Sequence, residues 1–166
     1  MNLSGDTNIC RSMPKTEIKY KTIIDNYKKE FSGITKYMDE TINFAREHGY
    51  VQTLMGRRRW LKDINSANFT VSGFAERNAI NSPIQGSAAD MIKLAMIKVH
   101  EAFTKKKFKS KMIMQVHDEL VFDALKEEIE KIKPVIIECM QSALLLPFDV
   151  PVVAEVGSGE NWLAAH

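Results

Sequence analysis

Cysteines, long apolar runs and a strong net charge are all missing or scarce in this chain of 166 residues. The two cysteines, Cys10 and Cys139, have a spacing that fits neither a disulfide framework nor a structural zinc site. No run approaches the roughly 20 apolar residues of a membrane span, and the N-terminus has no signal-peptide core. The formal net charge is +2, so any nucleic-acid contact must come from local patches. These features predict a soluble protein of the reducing cytoplasm with no membrane partner.

Several catalytic signatures are also absent. The sequence has no glycine-rich phosphate loop, no paired-histidine zinc helix and no serine-nucleophile elbow. Internal repeats and low-complexity segments are missing too. What is present is an ordinary globular composition, with 45% apolar and 27% charged residues. A single compact domain is therefore the starting expectation.

The first half of the chain reads as helical, after a polar lead-in at residues 1–12 that we expect to be poorly ordered. Apolar residues recur at helical spacing on both sides of Ser32-Gly33, which predicts an antiparallel helix pair that ends at a left-handed Gly49. Residues 50–61 alternate around Gly56 as a short hairpin. An Asn- and Ser-rich loop over residues 63–73 is the expected boundary between two halves.

The second half predicts helix, hairpin, helix and strand. A helix from about residue 74 towards residue 103 carries Pro83 and Gly86, which favour a kink or a break. Two apolar runs at residues 112–116 and 120–122 flank a charged tip, and a helix follows with apolar residues from Ile129 to Ala143. Residues 150–156 predict a last strand. The fold class is α+β, with helices on one face of an antiparallel sheet.

The charged tip is the most distinctive chemical feature. Asp118 and Glu119 are adjacent carboxylates, and Mg²⁺ prefers such oxygen ligands together with substrate phosphates. Phosphoryl-transfer sites use a pair of such metals, which needs at least one further carboxylate. Polar residues are also ordinary at turns, so spacing alone leaves both interpretations open. The role of His117 is also left open: it is a candidate metal ligand, acid/base or hydrogen-bond donor, or an ordinary turn residue.

Two further groups of polar residues are candidates for DNA contact. Arg77, Asn81 and Gln85 are spaced four apart and share one face of a continuous helix, where they suit hydrogen bonds to base edges or form ordinary polar surface. The basic run provides a patch for phosphates or a solvated hairpin. Its members are Arg57, Arg58, Arg59 and Lys62.

Four segments together resemble the family A DNA polymerases, the DNA polymerase I type. They are QVHDEL at residues 115–120, AERNAINSPIQGSAAD at 75–90, GYVQTLMGRR at 49–58, and VGSGENW at 156–162 with a terminal AH. The resemblance runs from about residue 3 to residue 166, and the segments keep the family's order. It favours the catalytic interpretation of the acidic tip.

The resemblance implies specific roles. Asp118 corresponds to the second metal-binding aspartate of the palm, and Glu119 to the adjacent acidic residue of lesser role. The groove-contact set corresponds to palm residues that touch the primer terminus and the minor groove of the new base pair. Its members are His117, Gln85, Asn81 and Arg77. Residues 1–74 would be the distal fingers and residues 75–166 the C-terminal part of the palm.

The resemblance also leaves parts missing. The family's first catalytic aspartate, within an Asp-Tyr-Ser motif, and its nucleotide-gripping fingers helix have no counterpart in this sequence. We therefore expect a C-terminal fragment of a bacterial-type replication and repair polymerase, inactive by itself, with a Mg²⁺ site, primer-template DNA and dNTP as partners only of the complete enzyme. The missing sheet neighbour predicts self-association through the exposed palm surface. The expected location is the cytoplasm, at the nucleoid.

Two alternatives remain at this point. One is a non-catalytic DNA-binding module that keeps the basic hairpin and the groove-contact residues. Its DNA affinity would depend on Arg57 to Arg59 and not on Asp118. The other is an unrelated metal-dependent hydrolase built on His117, Asp118 and Glu119. That site needs another carboxylate, and either Asp90 or Asp123 would have to provide it.

Overall fold

The structure of the protein is a computed structural model that describes residues 14–165. The predicted lead-in at residues 1–12 lies outside this range. The chain divides into two compact units: one contains Arg59–Ile80 and the residues up to Val51, the other Gln52–Arg58 and the residues from Asn81 onward. Helices and two small antiparallel sheets make up both units, which confirms the predicted α+β class.

The described elements are long helices and two pairs of short strands. Within residues 14–165 there are four α-helices: α1 (Pro14–Glu30), α2 (Ser32–His48), α3 (Phe69–Lys106) and α4 (Ile129–Gln141). The strands are β1 (Tyr50–Gln52), β2 (Arg58–Trp60), β3 (Lys111–Val116) and β4 (Glu119–Asp123), with single 3₁₀ turns at Pro147–Asp149 and Leu163–Ala165. β1 pairs with β2, and β3 pairs with β4.

The first two helices do not form the predicted antiparallel pair. Phe31 alone separates α1 from α2, so no tight turn of several residues reverses the chain. From Tyr20 to the end of α1 the large apolar side chains are about half exposed, including Ile23 and Ile24. A pattern at helical spacing predicts the helix correctly but does not say which surface will cover its apolar stripe. That surface is not provided by α2.

The core of the first unit joins α2, the strands and the start of α3. Its buried members are Ala45, Val51, Leu61, Ile64, Ala75 and Ala79. Gly49 ends α2 with a φ of 75°, and its N–H donates to the carbonyl of Ala45 at 2.8 Å. This left-handed cap confirms the sequence prediction.

Helix α3 begins five residues before the predicted start. The side-chain oxygen of Asn68 accepts from the backbone N–H groups of Thr70 at 3.0 Å and Val71 at 3.4 Å, which is N-cap geometry. The predicted loop over residues 63–73 was therefore wrong from Phe69 onward. The helix then continues to Lys106 with Pro83 inside it, so the chain has no break there. Pro83 removes one backbone hydrogen bond from the helix interior, and the helical turns on both sides of it continue.

The second unit has its own core, formed by the C-terminal part of α3 against α4. Its buried residues are Val99, Phe103, Ile132, Val135 and Ile136. Phe122 of β4 and Phe108 pack on Phe103, with ring centroids 5.7 and 5.3 Å away. This contact attaches the β3–β4 hairpin to the helices by one face.

The other face of that hairpin is partly exposed. The β3–β4 register shifts between Met112 and Met114, which makes Ile113 the extra residue of a β-bulge. Ile113 and Met114 are both exposed. The hairpin thus presents apolar surface, as expected for a two-stranded sheet with one covered face.

The predicted last strand is absent from the described residues. Residues 150–156 form no strand, although exposure alternates from Pro151 to Gly157 as it would along one. Val156 packs against the core of the second unit. Alternation depends on the local sequence, whereas a strand also needs a neighbouring backbone to pair with. No such partner is paired with this segment, so the prediction was wrong.

Candidate active site

The hairpin tip consists of His117, Asp118 and Glu119, and its backbone geometry is unusual. His117 and Asp118 form a two-residue turn, and Glu119 opens β4 opposite Val116. The φ of His117 is 52°, a left-handed value that costs a non-glycine residue about 1 kcal/mol or more. The side-chain amide of Gln115 donates to the carbonyl of His117 at 2.6 Å and helps to fix this turn. The strain projects the next residue, Asp118, from the end of the hairpin.

The two carboxylates of the tip are accessible to ligands. Asp118 is exposed and Glu119 is half-buried. Both line a groove of about 1150 Å³ that β4, α4 and residues 153–162 enclose within the second unit. Their oxygens are the donors that Mg²⁺ prefers. Within residues 14–165 no group of three His, Cys, Asp or Glu side chains is arranged to hold a metal, so the tip supplies a partial donor set.

Of the two carboxylates suggested for a hydrolase site, Asp123 lines the same groove as the tip and Asp90 does not. Asp123 is at the far end of β4, opposite Lys111. Asp90 is on α3, where it accepts a hydrogen bond from Thr53 and forms an ion pair with Arg57. Neither belongs to a metal-binding group with the tip within the described range. The structure thus offers no support for the hydrolase alternative.

The predicted groove-contact residues of α3 share an exposed face. Arg77, Asn81 and Gln85 are all exposed, whereas Ala75 and Ala79 on the opposite side are buried. The Arg77 guanidinium also lies 5.9 Å from the ring centroid of Phe74. Arg77 belongs to the first unit, and Asn81 and Gln85 belong to the second with the hairpin tip.

The basic run has more protein contacts than the sequence predicted. Arg57 lies in the turn between β1 and β2 and forms an ion pair with Asp90 at 2.8 Å. Arg59 donates to the side chain of Asn78 at 3.4 Å. Because Arg57 and Asp90 are 33 positions apart in the sequence, no local pattern indicates their pairing. Sequence reasoning considered Asp90 only as a hydrolase carboxylate and missed its contacts with Arg57 and Thr53.

A second contact missed by sequence reasoning fixes the base of the β3–β4 hairpin. Glu128 accepts from the backbone N–H of Lys109 at 3.1 Å, and from the N–H and hydroxyl of Ser110 at 2.9 and 2.7 Å. The Ser110 hydroxyl, followed by the Ser110 and Lys109 N–H groups, holds the pKa of the Glu128 carboxyl below its usual value. We call this arrangement the Glu128 clamp.

The surroundings of Cys139 do not favour a nucleophilic thiolate. Cys139 packs beside the core of the second unit, and burial raises the pKa of its thiol, so the neutral form is favoured. This agrees with its place in the apolar pattern of α4.

The structure thus shows two site features, an exposed carboxylate at a hairpin tip with a left-handed residue and an exposed polar face of α3. Comparison with known protein families identifies one family. Residues 3–164 match the family described as DNA polymerase family A. The chain belongs to this family.

Relatives agree along almost the whole chain. DNA polymerase I of Streptococcus pneumoniae (strain TIGR4) is 48% identical over 161 residues, which cover 97% of this chain and 18% of that protein. DNA polymerase I of Bacillus subtilis (strain 168) is 42% identical with the same coverage. This chain thus spans about a fifth of the length of the curated relatives that it matches.

A solved structure supports the fold. The polymerase domain of Pol1 from M. smegmatis, in complex with DNA primer-template and dNTP, superimposes with a TM-score of 0.87 at 38% identity. The match covers 96% of this chain and 28% of that one. None of the helices in residues 14–165 combines the length and the apolar composition that a membrane span requires.

Proposed function

We propose that this chain forms part of the active site of a template-directed DNA polymerase. The reaction joins the primer 3′-oxygen to the α-phosphorus of a dNTP, breaks the bond to pyrophosphate and releases the proton of the 3′-hydroxyl. The observation that carries the proposal is the exposed Asp118 at a strained hairpin tip, in a member of DNA polymerase family A. A related polymerase domain was solved with DNA primer-template and dNTP, which supports the same ligands here.

Asp118 is proposed as a Mg²⁺ ligand, with Glu119 as its acidic neighbour. Their oxygen donors fit this ion, and the accessible groove leaves space for water and phosphate ligands. The metal would lower the charge on the reacting phosphate and favour the ionised 3′-hydroxyl. The tip provides only part of a donor set, so we propose that the first catalytic aspartate and the nucleotide-gripping helix come from other segments of the complete enzyme. The isolated chain would then be inactive.

The exposed face of α3 and the hairpin residue His117 are proposed as minor-groove contacts. Arg77, Asn81, Gln85 and His117 carry hydrogen-bond donors, and all are exposed. Minor-groove acceptors are nearly the same for every correct base pair, so such contacts read pair geometry and not sequence. In this assignment residues 1–74 belong to the distal fingers and residues 75–166 to the C-terminal palm.

The same proposal assigns roles to residues outside the hairpin tip and the α3 face. Of the predicted phosphate contacts Arg57, Arg58 and Arg59, we assign that role to Arg58 and Arg59, because Arg57 already pairs with Asp90. We also assign self-association to the exposed apolar side of the hairpin at Ile113 and Met114, and a role in bacterial DNA replication and repair to the complete enzyme. The site of action would be the nucleoid in the cytoplasm. A second copy of the chain is the partner that could cover an apolar surface left by a missing sheet neighbour.

The test measures binding of the full chain to a fluorescent primer-template duplex with and without Mg²⁺. We expect salt-dependent binding that Mg²⁺ strengthens, a loss of the Mg²⁺ effect in Asp118→Asn, and no change in Asp123→Asn, a matched carboxylate at the other end of β4. Equal Mg²⁺ responses in all three proteins would contradict a metal role for Asp118. Binding that needs the basic run and ignores Asp118 would favour the DNA-binding module.

Primer extension and sedimentation test the remaining parts. We expect no extension by the chain alone, and concentration-dependent association that Met114→Lys reduces. Extension that Asp118→Ala abolishes would show that the chain is active by itself. A monomer at all concentrations would contradict the self-association.

A further inference from the structure

Residues 53–57, which we call the docked turn, are attached to α3 by side-chain contacts in the second unit. We propose that Asp90 is a positioning residue for DNA binding, because it fixes the docked turn on α3 beside Gln85 through Thr53 and Arg57. This inference rests on the proposed function and assigns Arg57 a role inside the protein in place of a phosphate contact.

Both carboxylate oxygens of Asp90 are engaged. The hydroxyl of Thr53 donates to Oδ2 at 2.7 Å, and Nη2 of Arg57 lies 2.8 Å from Oδ1. The Asp90 side chain is only 14% exposed, compared with 50% for Arg57. The carboxylate is therefore shielded from water on α3, and losing its cationic partner would leave it poorly solvated.

Three further contacts place the turn at residues that directly follow Gln85. Arg57 donates to the carbonyl of Gly86 at 3.0 Å, and the backbone N–H of Leu54 donates to the hydroxyl of Ser87 at 2.9 Å. A Cβ atom at Gly86 would lie 2.5 Å from Cγ2 of Thr53. Such a close approach is open only to glycine, so the turn and the helix fit at Gly86 by shape as well as by charge.

These contacts change the expected role of Arg57. Its Nη2 atom already serves a carboxylate and a carbonyl, so a phosphate contact would compete with the ion pair to Asp90. The two roles predict opposite effects of neutralising Asp90. If Arg57 contacts phosphate, Asp90→Asn releases it and strengthens binding. If Arg57 fixes the turn, the same change loosens the surroundings of Gln85 and weakens binding.

The experiment measures the affinity of the full chain for a fluorescein-labelled primer-template duplex between 50 and 200 mM salt, a range in which phosphate contacts change affinity strongly. We expect Asp90→Asn to weaken binding about three- to tenfold, as for a partly exposed ion pair, with an unchanged salt slope. Glu101→Gln is the matched control, because it removes one exposed carboxylate from the same helix. Tighter binding by Asp90→Asn, or a smaller salt slope in Arg57→Ala, would overturn the proposal.

Conservative variants separate positioning from general destabilisation. Thr53→Ser keeps the hydroxyl and should retain the affinity, whereas Thr53→Val keeps the shape and should lose it. Equal affinities for the two variants would contradict the role of this hydrogen bond. Amide hydrogen exchange at Leu54 gives a readout without DNA: Asp90→Asn should speed it and Glu101→Gln should not. If the wild-type chain fails to bind DNA, the proposed function fails, and exchange alone decides whether Asp90 holds the turn.

Discussion

The turns of the two hairpins differ in their contacts: one is bonded to a helix and the other is exposed. The β1–β2 turn uses Gly56 where φ is 78°, and side chains fasten it to α3 through Thr53 and Arg57. The β3–β4 turn places His117 at a similar φ of 52° and leaves Asp118 exposed at its end. The first turn is therefore built for attachment, whereas the second accepts backbone strain to present a carboxylate. Strain of this kind is common at functional sites.

The largest expected effect breaks the attachment of the first turn. Gly86→Ala places a methyl group 2.5 Å from Cγ2 of Thr53, so we expect the free energy of unfolding to fall by about 1–3 kcal/mol. Chemical denaturation measures the change. Gly33→Ala is the control, because no atom lies within 4 Å of its new Cβ, and alanine is the better helix former. If Gly86→Ala and Gly33→Ala were equally stable, the docked turn would not be in close contact with Gly86.

Substitutions at the two residues with positive φ test how much backbone strain each turn carries. We expect Gly56→Ala to lower the free energy of unfolding by about 1 kcal/mol, because alanine is strained at positive φ. His117→Gly should raise it by up to about 1 kcal/mol for the same reason, and weaken DNA binding through loss of the imidazole. Thermal unfolding of both variants checks this. A less stable His117→Gly would mean that histidine contacts outweigh the backbone strain.

Acid should loosen the base of the β3–β4 hairpin. The folded-state pKa of Glu128 lies below its unfolded value, so the Glu128 clamp is fully effective above the ordinary glutamate pKa of about 4.3. Its contribution is lost as the pH falls through the lower folded-state pKa. Protection factors of the Lys109 and Ser110 amides, which correct for the intrinsic pH dependence of exchange, should fall between pH 6 and pH 3, and Glu128→Gln should remove most of this fall. Glu130→Gln, an exposed neighbour on α4, should keep it.

The smallest expected effect on stability is at Asp118 itself. Because its side chain is exposed, Asp118→Asn should change the free energy of unfolding by less than about 0.5 kcal/mol. The same variant should lose the Mg²⁺ response of DNA binding. A large loss of stability would show that Asp118 supports the fold, and the contrast between an attached turn and a presented turn would no longer hold.

The fold was predictable where local signals decide it. Gly49 and the hairpin around residues 117–119 were confirmed, because a left-handed cap and two apolar runs around a polar turn depend on neighbouring residues. Asn68 carried a readable N-cap signal, and the start of α3 was nevertheless missed because it lies in a run of polar residues. The strand at residues 150–156 failed for another reason, since pairing needs a partner distant in sequence.

For the candidate site, the sequence alone determined the kinds of residues present and their order: adjacent carboxylates between two apolar strands, polar side chains four apart on a helix, and a basic run. It also determined the family, through segments that agree from end to end. Only the tertiary structure decided which charges meet. Arg57 pairs with Asp90, and Glu128 fixes the base of the hairpin, because folding brings together groups that no local spacing relates.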